Sequence, residues 1–373
     1  MNASPTPPAI TFDVHACEQR VPDEVRASML ESPGFGQVFT DHMVTLRWSA
    51  DQGWHDGKLE PYAPLVLDPA TAVLHYSQEI FEGLKAYRQD PGPIVAFRPY
   101  ANAARFRRSA ARMAMPELPD DAFVHAIELL VTHDKDWVPS QAEQSLYLRP
   151  FMIATTVALG VGRPASSYLF LVIASPSGSV FAGSGLRAVS VWLAEGYTRA
   201  APGGTGEAKT GGNYAASFLG QQQAIANGCD QVVWLDAPEH RWVEEMGGMN
   251  LFFVRGTGEN ARLSTPPLTG TLLPGITRDS LLTLGPDLGL PVTEEPISVD
   301  QWRTGCESGE ITEVFACGTA AVITPVREVK GASGSWIVGD GQPGPVTLRL
   351  REQLLGIQFG RLPDPHSWVH KIA

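Results

Sequence analysis

Cysteine is scarce in this sequence. The four cysteines, Cys17, Cys229, Cys306 and Cys317, are far apart and form no CxxC pair and no cluster with histidine. A disulfide framework and a structural zinc site are therefore not expected, and we predict no metal site elsewhere in the chain. Isolated cysteines of this kind favour a reducing compartment, so we predict a cytoplasmic protein.

Basic residues and long apolar runs are scarce as well. Lysine and arginine total 28 against 40 acidic residues, and no basic block offsets the net charge of −12, which argues against a nucleic-acid partner. The longest apolar runs, such as residues 167–174, are too short to cross a bilayer. The N-terminus lacks a basic stretch followed by an apolar segment, so no secretory signal is predicted and we expect a soluble protein.

The chain has 373 residues, which is enough for two domains. Residues 1–10 are rich in proline and are expected to be disordered. Small residues dominate positions 175–185, and we predict an interdomain linker at 178–186. The linker would separate a smaller N-terminal α/β domain (1–177) from a larger C-terminal domain (187–373).

Local patterns predict strands and helices in both domains. Helices are expected at 100–115 and 121–133. Strands are expected in the first domain at 38–48, 71–76, 146–150 and 167–174, and in the second at 188–193, 231–235, 250–254 and 311–316. This density of elements is typical of an α/β fold with mixed α+β layers.

Lys209 lies in a segment, residues 207–214, that is short of charge and rich in small residues. A lysine beside two glycines and Tyr214 can present its amine to a bound carbonyl, as a Schiff base requires. Asn213 is the predicted N-cap of a helix at 215–227, which Gly228 ends. On its local context alone, an ordinary solvated loop lysine is the more common interpretation.

Four other segments are chemically suggestive, but each also has an ordinary structural interpretation. Pro274-Gly275 precedes a predicted helix at 276–284, whose first amides can bind an anion such as phosphate. The strand at 314–317 runs into a Gly-Thr-Ala turn that can aim N–H groups at an anion. Glu245 lies in an apolar stretch where a pyridine N–H would be a suitable partner, and Arg105 can clamp a phosphate.

Together these segments resemble the branched-chain amino acid aminotransferases, pyridoxal-phosphate enzymes of fold type IV. The resemblance extends from about Phe35 to Ala373 and is collinear, which makes it specific. Its segments are Phe35-Gly36, Phe39–Met43, Leu74–Ser77, Phe81–Ala86, Phe97–Pro99, Leu146–Pro150, Lys209–Tyr214, Asn227–Leu235, Glu245–Asn250 and Leu273–Thr277.

The resemblance implies a role for each matching position. Lys209 would be the Schiff-base lysine, Tyr214 the partner of the cofactor's phenolic oxygen, and Glu245 the partner of its pyridine nitrogen. The phosphate would be held by Arg105, the backbone N–H groups of Ile276 and Thr277, and Thr319. The substrate would contact the Thr319-Ala320 turn, the pocket residues Phe35, Tyr76, Tyr147 and Arg149, and a loop with Leu159 and Val161 that reaches into a neighbouring subunit.

The implied fold is the two-domain, D-amino-acid-aminotransferase-like fold of fold-type IV pyridoxal 5'-phosphate enzymes, assembled as a homodimer or a higher homo-oligomer. The implied reaction is ping-pong transamination between branched-chain L-amino acids (Leu, Ile, Val) and 2-oxoglutarate, through an internal aldimine on Lys209. The alternatives are a D-amino-acid aminotransferase, an aminodeoxychorismate lyase or a catalytically silent cofactor-binding protein. Two departures stand out: Ala321 and Thr324 replace a CxxC found in some relatives, and Gly248 replaces a common threonine.

Overall fold

The computed structural model describes residues 10–160, 162–178 and 186–373. Its first part is a nine-stranded sheet in the order β1-β3-β2-β8-β7-β5-β6-β18, with β4 paired to β7. The strands are β1 (Phe12–Val14), β2 (His42–Ser49), β3 (Gly53–Pro61), β4 (Glu79–Phe81), β5 (Leu84–Arg88), β6 (Ile94–Phe97), β7 (Ser145–Ala154), β8 (Ser167–Ser177) and the C-terminal β18 (Val369–Lys371).

Two long helices cover one face of this sheet. Pro99 occupies the first position of α3 (Pro99–Arg112), where its missing N–H and fixed φ are well suited to a helix start. The rings of Phe106 and Phe123 pack against Phe170 of the sheet at centroid distances of 5.6 and 6.1 Å, which fixes both helices on it. The helices of this region are α1 (Asp23–Glu31), α2 (Val73–Tyr76), α3 (Pro99–Arg112) and α4 (Asp120–His133), with a 3-10 turn at Lys135–Trp137.

The second sheet also has nine strands, in the order β11-β10-β9-β16-β15-β12-β13-β14, with β17 paired to β16. They are β9 (Val189–Ala194), β10 (Gln231–Leu235), β11 (Val243–Met246), β12 (Met249–Arg255), β13 (Arg262–Thr265), β14 (Val292–Glu294), β15 (Ile311–Gly318), β16 (Val322–Gly331) and β17 (Gly334–Ile337). Its helices are α5 (Gly211–Ala215), α6 (Phe218–Ala226), α7 (Ile276–Asp287), α8 (Val299–Ser308) and α9 (Pro345–Gln358), with a 3-10 turn at Gly258–Asn260.

An apolar cluster joins the two sheets. Tyr87, Val95 and Phe97 of the first sheet belong to the same buried cluster as Phe252 and Phe315 of the second. The C-terminal strand β18 also returns to the first sheet and pairs with β6. The cluster therefore packs β5 and β6 of the first sheet against β12 and β15 of the second.

Most predicted elements are confirmed, but two local predictions are wrong. Residues 73–76 form a helical turn instead of a strand, because Asp68 accepts the Ala70 and Thr71 N–H groups and closes the chain locally. Asn213 is not the N-cap: Thr210 occupies that position, and the buried Asn213 amide donates to loop carbonyls. The predicted disorder at 1–10 and the predicted linker fall almost entirely outside the described residues.

The division into domains at these boundaries stays a prediction. Among the described residues, no helix is both long enough and apolar enough to span a membrane.

Candidate active site

Lys209 lies in an aromatic corner between the two sheets. Its Nζ donates to the Tyr214 hydroxyl at 2.7 Å and lies 4.7 Å from the centroid of the Phe81 ring. Its backbone is fixed on both sides, since Lys209 N donates to Ser109 Oγ at 3.0 Å and its carbonyl accepts from Phe81 N at 2.9 Å. The side chain is therefore held at a defined position and is only half-buried.

Polar side chains fix the loop before and after Lys209. The Asn213 amide donates to the carbonyls of Thr205 and Ala208 at 2.8 and 2.9 Å. Glu79 accepts from the Gly211 N–H and from Thr210 Oγ1, so it anchors the start of α5. Burial raises the pKa of Glu79, and these hydrogen bonds act in the opposite direction.

Glu245 projects from β11 and is almost completely buried. Its Oε1 accepts from Leu273 N at 2.6 Å, and its Oε2 lies 3.0 Å from Arg199 Nη2. Burial raises the pKa of Glu245, while the Arg199 guanidinium and the Leu273 N–H oppose that rise. The site therefore holds a buried acid whose ionised form has two partners.

The start of α7 is available to an anion. Gly275 is its N-cap, and within the described part of the chain no side chain caps the helix. The first backbone bond of the helix runs from Asp279 N to the Gly275 carbonyl, so the N–H groups of Ile276 and Thr277 precede it. Ile276, Thr277 and Thr319 line one small cavity, of about 20 Å³, so three of the predicted phosphate contacts lie together.

Arg105 has a partner that the sequence did not indicate. Its Nε and Nη2 donate to the two oxygens of Glu82 at 2.7 and 2.8 Å, and both side chains are buried. Its Nη1 donates to the Pro274 carbonyl at 3.1 Å, beside the start of α7. Burial would raise the pKa of Glu82, but the charge and hydrogen bonds of Arg105 outweigh this effect and lower it.

Three of the predicted pocket residues lie close to the lysine. Phe35 packs edge-to-face on Tyr147 with a centroid distance of 5.0 Å. Arg149 Nη2 donates to the Tyr147 hydroxyl at 3.1 Å, and its guanidinium carbon lies 4.8 Å from the centroid of the Phe81 ring. Arg149 and Lys209 therefore both contact Phe81, which makes this ring the centre of the pocket wall.

The other predicted pocket residues do not join this group. Tyr76 and Leu159 instead line a separate open cleft of about 790 Å³. Val161 lies outside the described residues. The structure thus divides the predicted pocket into a part that surrounds Lys209 and a part on another surface.

Thr319 and Ala320 lie in the turn between β15 and β16. Their N–H groups donate to no backbone carbonyl within the described ranges, so both remain available to a ligand. Lys85 Nζ donates to the Ala320 carbonyl at 2.8 Å and contacts the turn from the first sheet.

Sequence reasoning missed several residues that complete this site. Phe81, Glu82 and Lys85 belong to a segment that carries the resemblance, but that resemblance assigned them no role. Arg199 had no signal, because its partner Glu245 is distant in the sequence. Among the described residues, no group of three or more His, Cys, Asp or Glu side chains could hold a metal ion.

Comparison with known proteins identifies the family. The family model of class IV aminotransferases matches residues 79–329. This match covers more than half of the chain, which is therefore a class IV aminotransferase, and this class uses pyridoxal phosphate.

Closer relatives define the family further. The chain is 58% identical over 364 residues to a probable branched-chain-amino-acid aminotransferase of Streptomyces coelicolor, covering 97% of this chain and 99% of that relative. It is 57% identical over 373 residues to a branched-chain-amino-acid aminotransferase of Mycolicibacterium smegmatis, covering 100% of both. The chain belongs to the branched-chain-amino-acid aminotransferases.

A solved structure supports the same conclusion about the fold. The branched-chain amino acid aminotransferase of Escherichia coli is 30% identical, with a TM-score of 0.70 over 88% of this chain and 99% of that chain. The predicted family and its mixed α/β fold are both confirmed.

Proposed function

We propose that this chain transfers amino groups between the branched-chain L-amino acids leucine, isoleucine and valine and 2-oxoglutarate, with pyridoxal 5'-phosphate as cofactor. The observation that carries the proposal is the Lys209 amine, hydrogen-bonded to Tyr214 and close to the buried Glu245. The names of the relatives indicate the substrate class, and the residues of the site suit the chemistry of amino transfer.

The residues present fit this cofactor. An amine, a phenol, a buried carboxylate and an uncapped helix start match its aldehyde, phenolic oxygen, pyridine nitrogen and phosphate in turn. We assign Lys209 to the aldehyde carbon, Tyr214 to the phenolic oxygen and Glu245 to the pyridine nitrogen. The remaining contacts are assigned to the phosphate: Arg105, the N–H groups of Ile276 and Thr277, and Thr319.

When bound, the cofactor supplies an electron sink that acidifies the Cα–H bond of the amino acid. The task of the protein is to move that proton. The Lys209 amine takes it from Cα and returns it to the cofactor's C4′ atom, acting first as a base and then as an acid. The Tyr214 hydroxyl, 2.7 Å from Nζ, orients the amine for both transfers.

The pocket wall can receive two kinds of side chain. Phe35 and Tyr147 provide apolar surface for a branched aliphatic group. Arg149 lies over the rings of Phe81 and Tyr147, and we assign its guanidinium to the second carboxylate of 2-oxoglutarate. The common carboxylate of both substrates is assigned to the N–H groups of Thr319 and Ala320.

A homodimer would bring together the residues that one chain separates. Leu74, Tyr76, Val157 and Leu159 are apolar side chains with at least 40% exposure on one surface of the first sheet region. Exposed apolar surface of this kind is typical of a subunit interface. We propose that Tyr76 and Leu159, together with Val161, contact the pocket of a second subunit; the cytoplasmic location stays a prediction.

A panel of 2-oxo acids with L-glutamate as donor tests this function. We expect rapid turnover with the oxo acids of leucine, isoleucine and valine. Turnover with D-glutamate would favour a D-amino-acid aminotransferase, and pyruvate release from aminodeoxychorismate would favour the lyase. Cofactor binding without any turnover would identify a silent cofactor-binding protein.

A further inference from the structure

The turn between β15 and β16 has an unfavourable backbone. Gly318 pairs with Val322, so three residues, 319–321, connect the strands. Tight hairpin connections often include one residue in the left-handed region, a position at which glycine is typical. Here that residue is Val322, with a φ of 62°, a conformation that is sterically disfavoured for a β-branched side chain. Contacts from outside the hairpin must therefore hold the turn in this shape.

Lys85 provides such a contact. Its Nζ donates to the Ala320 carbonyl at 2.8 Å, and within the described ranges this is the only side-chain hydrogen bond to residues 319–321. The bond connects β5 of the first sheet with the turn of the second. It therefore fixes the turn relative to the pocket wall.

Lys85 lies on the substrate side of its strand. In the antiparallel pairing of β5 with β7, Lys85 is directly opposite Tyr147, so both side chains are on the same face. The neighbours Leu84 and Ala86 face the apolar core instead. A lysine that is only 6% exposed, in a strand whose first four residues are all buried, needs a reason to remain there.

Within the described ranges, two charged groups act on Lys85. Arg351 of α9 and Glu143, which precedes β7, act on it with opposite signs, and the phenols of Tyr87 and Tyr147 share its face of the sheet. Glu143 is also held by Arg351 in a two-point ion pair, with distances of 3.0 and 2.6 Å. The Ala320 carbonyl is the hydrogen-bond acceptor of Lys85.

We propose that Lys85 is a positioning residue for substrate recognition: by holding the Ala320 carbonyl, it orients the N–H groups of Thr319 and Ala320 towards the substrate carboxylate. This inference rests on the proposed function, because it requires the turn to bind that carboxylate. The Lys85 amine also adds positive charge behind the turn, which favours an anionic ligand.

The test compares the holoenzyme with Lys85→Met, which keeps side-chain length without a donor, and Lys85→Arg, which keeps a charged donor. Lys58→Met is the matched control, because Lys58 pairs with Asp56 on the surface far from the site in the fold. Dissociation constants are measured for 4-methylpentanoate and for the neutral 4-methylpentan-1-ol. The kcat and KM for leucine are measured with each variant.

For Lys85→Met we expect about tenfold weaker 4-methylpentanoate binding and a similar rise in KM, the usual loss for a hydrogen bond to a charged group. Binding of the alcohol and the cofactor's absorbance should not change. Lys85→Arg should recover most of the affinity, and Lys58→Met should match the wild type.

Unchanged carboxylate binding in Lys85→Met would overturn the proposal, as would an equal loss of acid and alcohol, which marks a purely structural role. If Lys85→Met does not fold, the test is the pH dependence of 4-methylpentanoate affinity, measured from pH 7 to pH 10 for the wild type and for Lys85→Arg. Burial lowers the pKa of Lys85 to about 8, so wild-type carboxylate affinity should fall across this range more than that of the arginine variant. If carboxylate affinity depends on pH in the same way in the wild type and in Lys85→Arg, the proposal is overturned. If the wild type transaminates none of the substrates, the proposed function is refuted instead.

Discussion

Glu82→Gln tests the buried ion pair at the base of the candidate phosphate site. Glu82 is 0% exposed and accepts two hydrogen bonds from Arg105, which is 4% exposed, so the substitution leaves a buried guanidinium without its counter-charge. Removing one partner of a buried pair costs about 3–5 kcal/mol. At about 2–4 °C per kcal/mol for a domain of this size, the Tm should fall by about 6–20 °C.

The assay is thermal unfolding of the cofactor-free protein, followed by circular dichroism. Asp56→Asn is the control, because it breaks an exposed pair with Lys58 and should shift the Tm little. The pKa of Glu82 is lowered in the folded state, so its stabilisation is complete above the ordinary value of 4.5 and is lost as pH falls through the folded value. The difference in Tm should therefore shrink in acid. A fall no larger than that of the control would refute the reasoning.

Three further predictions follow from the same site. In Gly83→Ala, the new Cβ would overlap the Tyr147 hydroxyl, so the KM for leucine should rise about tenfold, whereas Gly196→Ala, with open space, should not change it. Glu245→Gln should retain the cofactor absorbance and lower kcat by about a hundredfold or more, and an unchanged kcat would remove its electronic role. Because burial lowers the pKa of Lys85 from 10.5 to about 8, the unfolded chain binds more protons in this window. The wild-type Tm should therefore rise relative to that of Lys85→Met as pH increases from 8 to 10, and a constant difference would contradict the burial effect.

The sequence predicted those parts of the site that are local. Lys209 and Tyr214 are five residues apart, and the helix start at Ile276 and Thr277 follows from the Pro-Gly before it, so their relative positions were visible in the chain. The strand that ends at the Gly318–Ala320 turn was also predictable, since its apolar residues are consecutive.

Contacts between distant segments were not predictable. Lys85 and Ala320 are 235 positions apart. Arg105 of α3 and Glu82, between β4 and β5, are 23 positions apart, so the sequence assigned Arg105 a phosphate without its carboxylate partner. Tyr76 was assigned to the side-chain pocket together with Phe35 and Tyr147, yet within one chain it lines a different cleft with Leu159. The strand prediction at 71–76 was wrong because Asp68 accepts the N–H groups of Ala70 and Thr71 and turns the chain just before this segment.

The most direct test of the account is amino transfer from leucine to 2-oxoglutarate by the wild type and by Lys209→Ala. Lys58→Ala serves as the control for loss of a lysine elsewhere. We predict many turnovers per subunit for the wild type and the control, and no more than one glutamate per subunit for Lys209→Ala. Sustained turnover by Lys209→Ala at a rate near that of the wild type would contradict it.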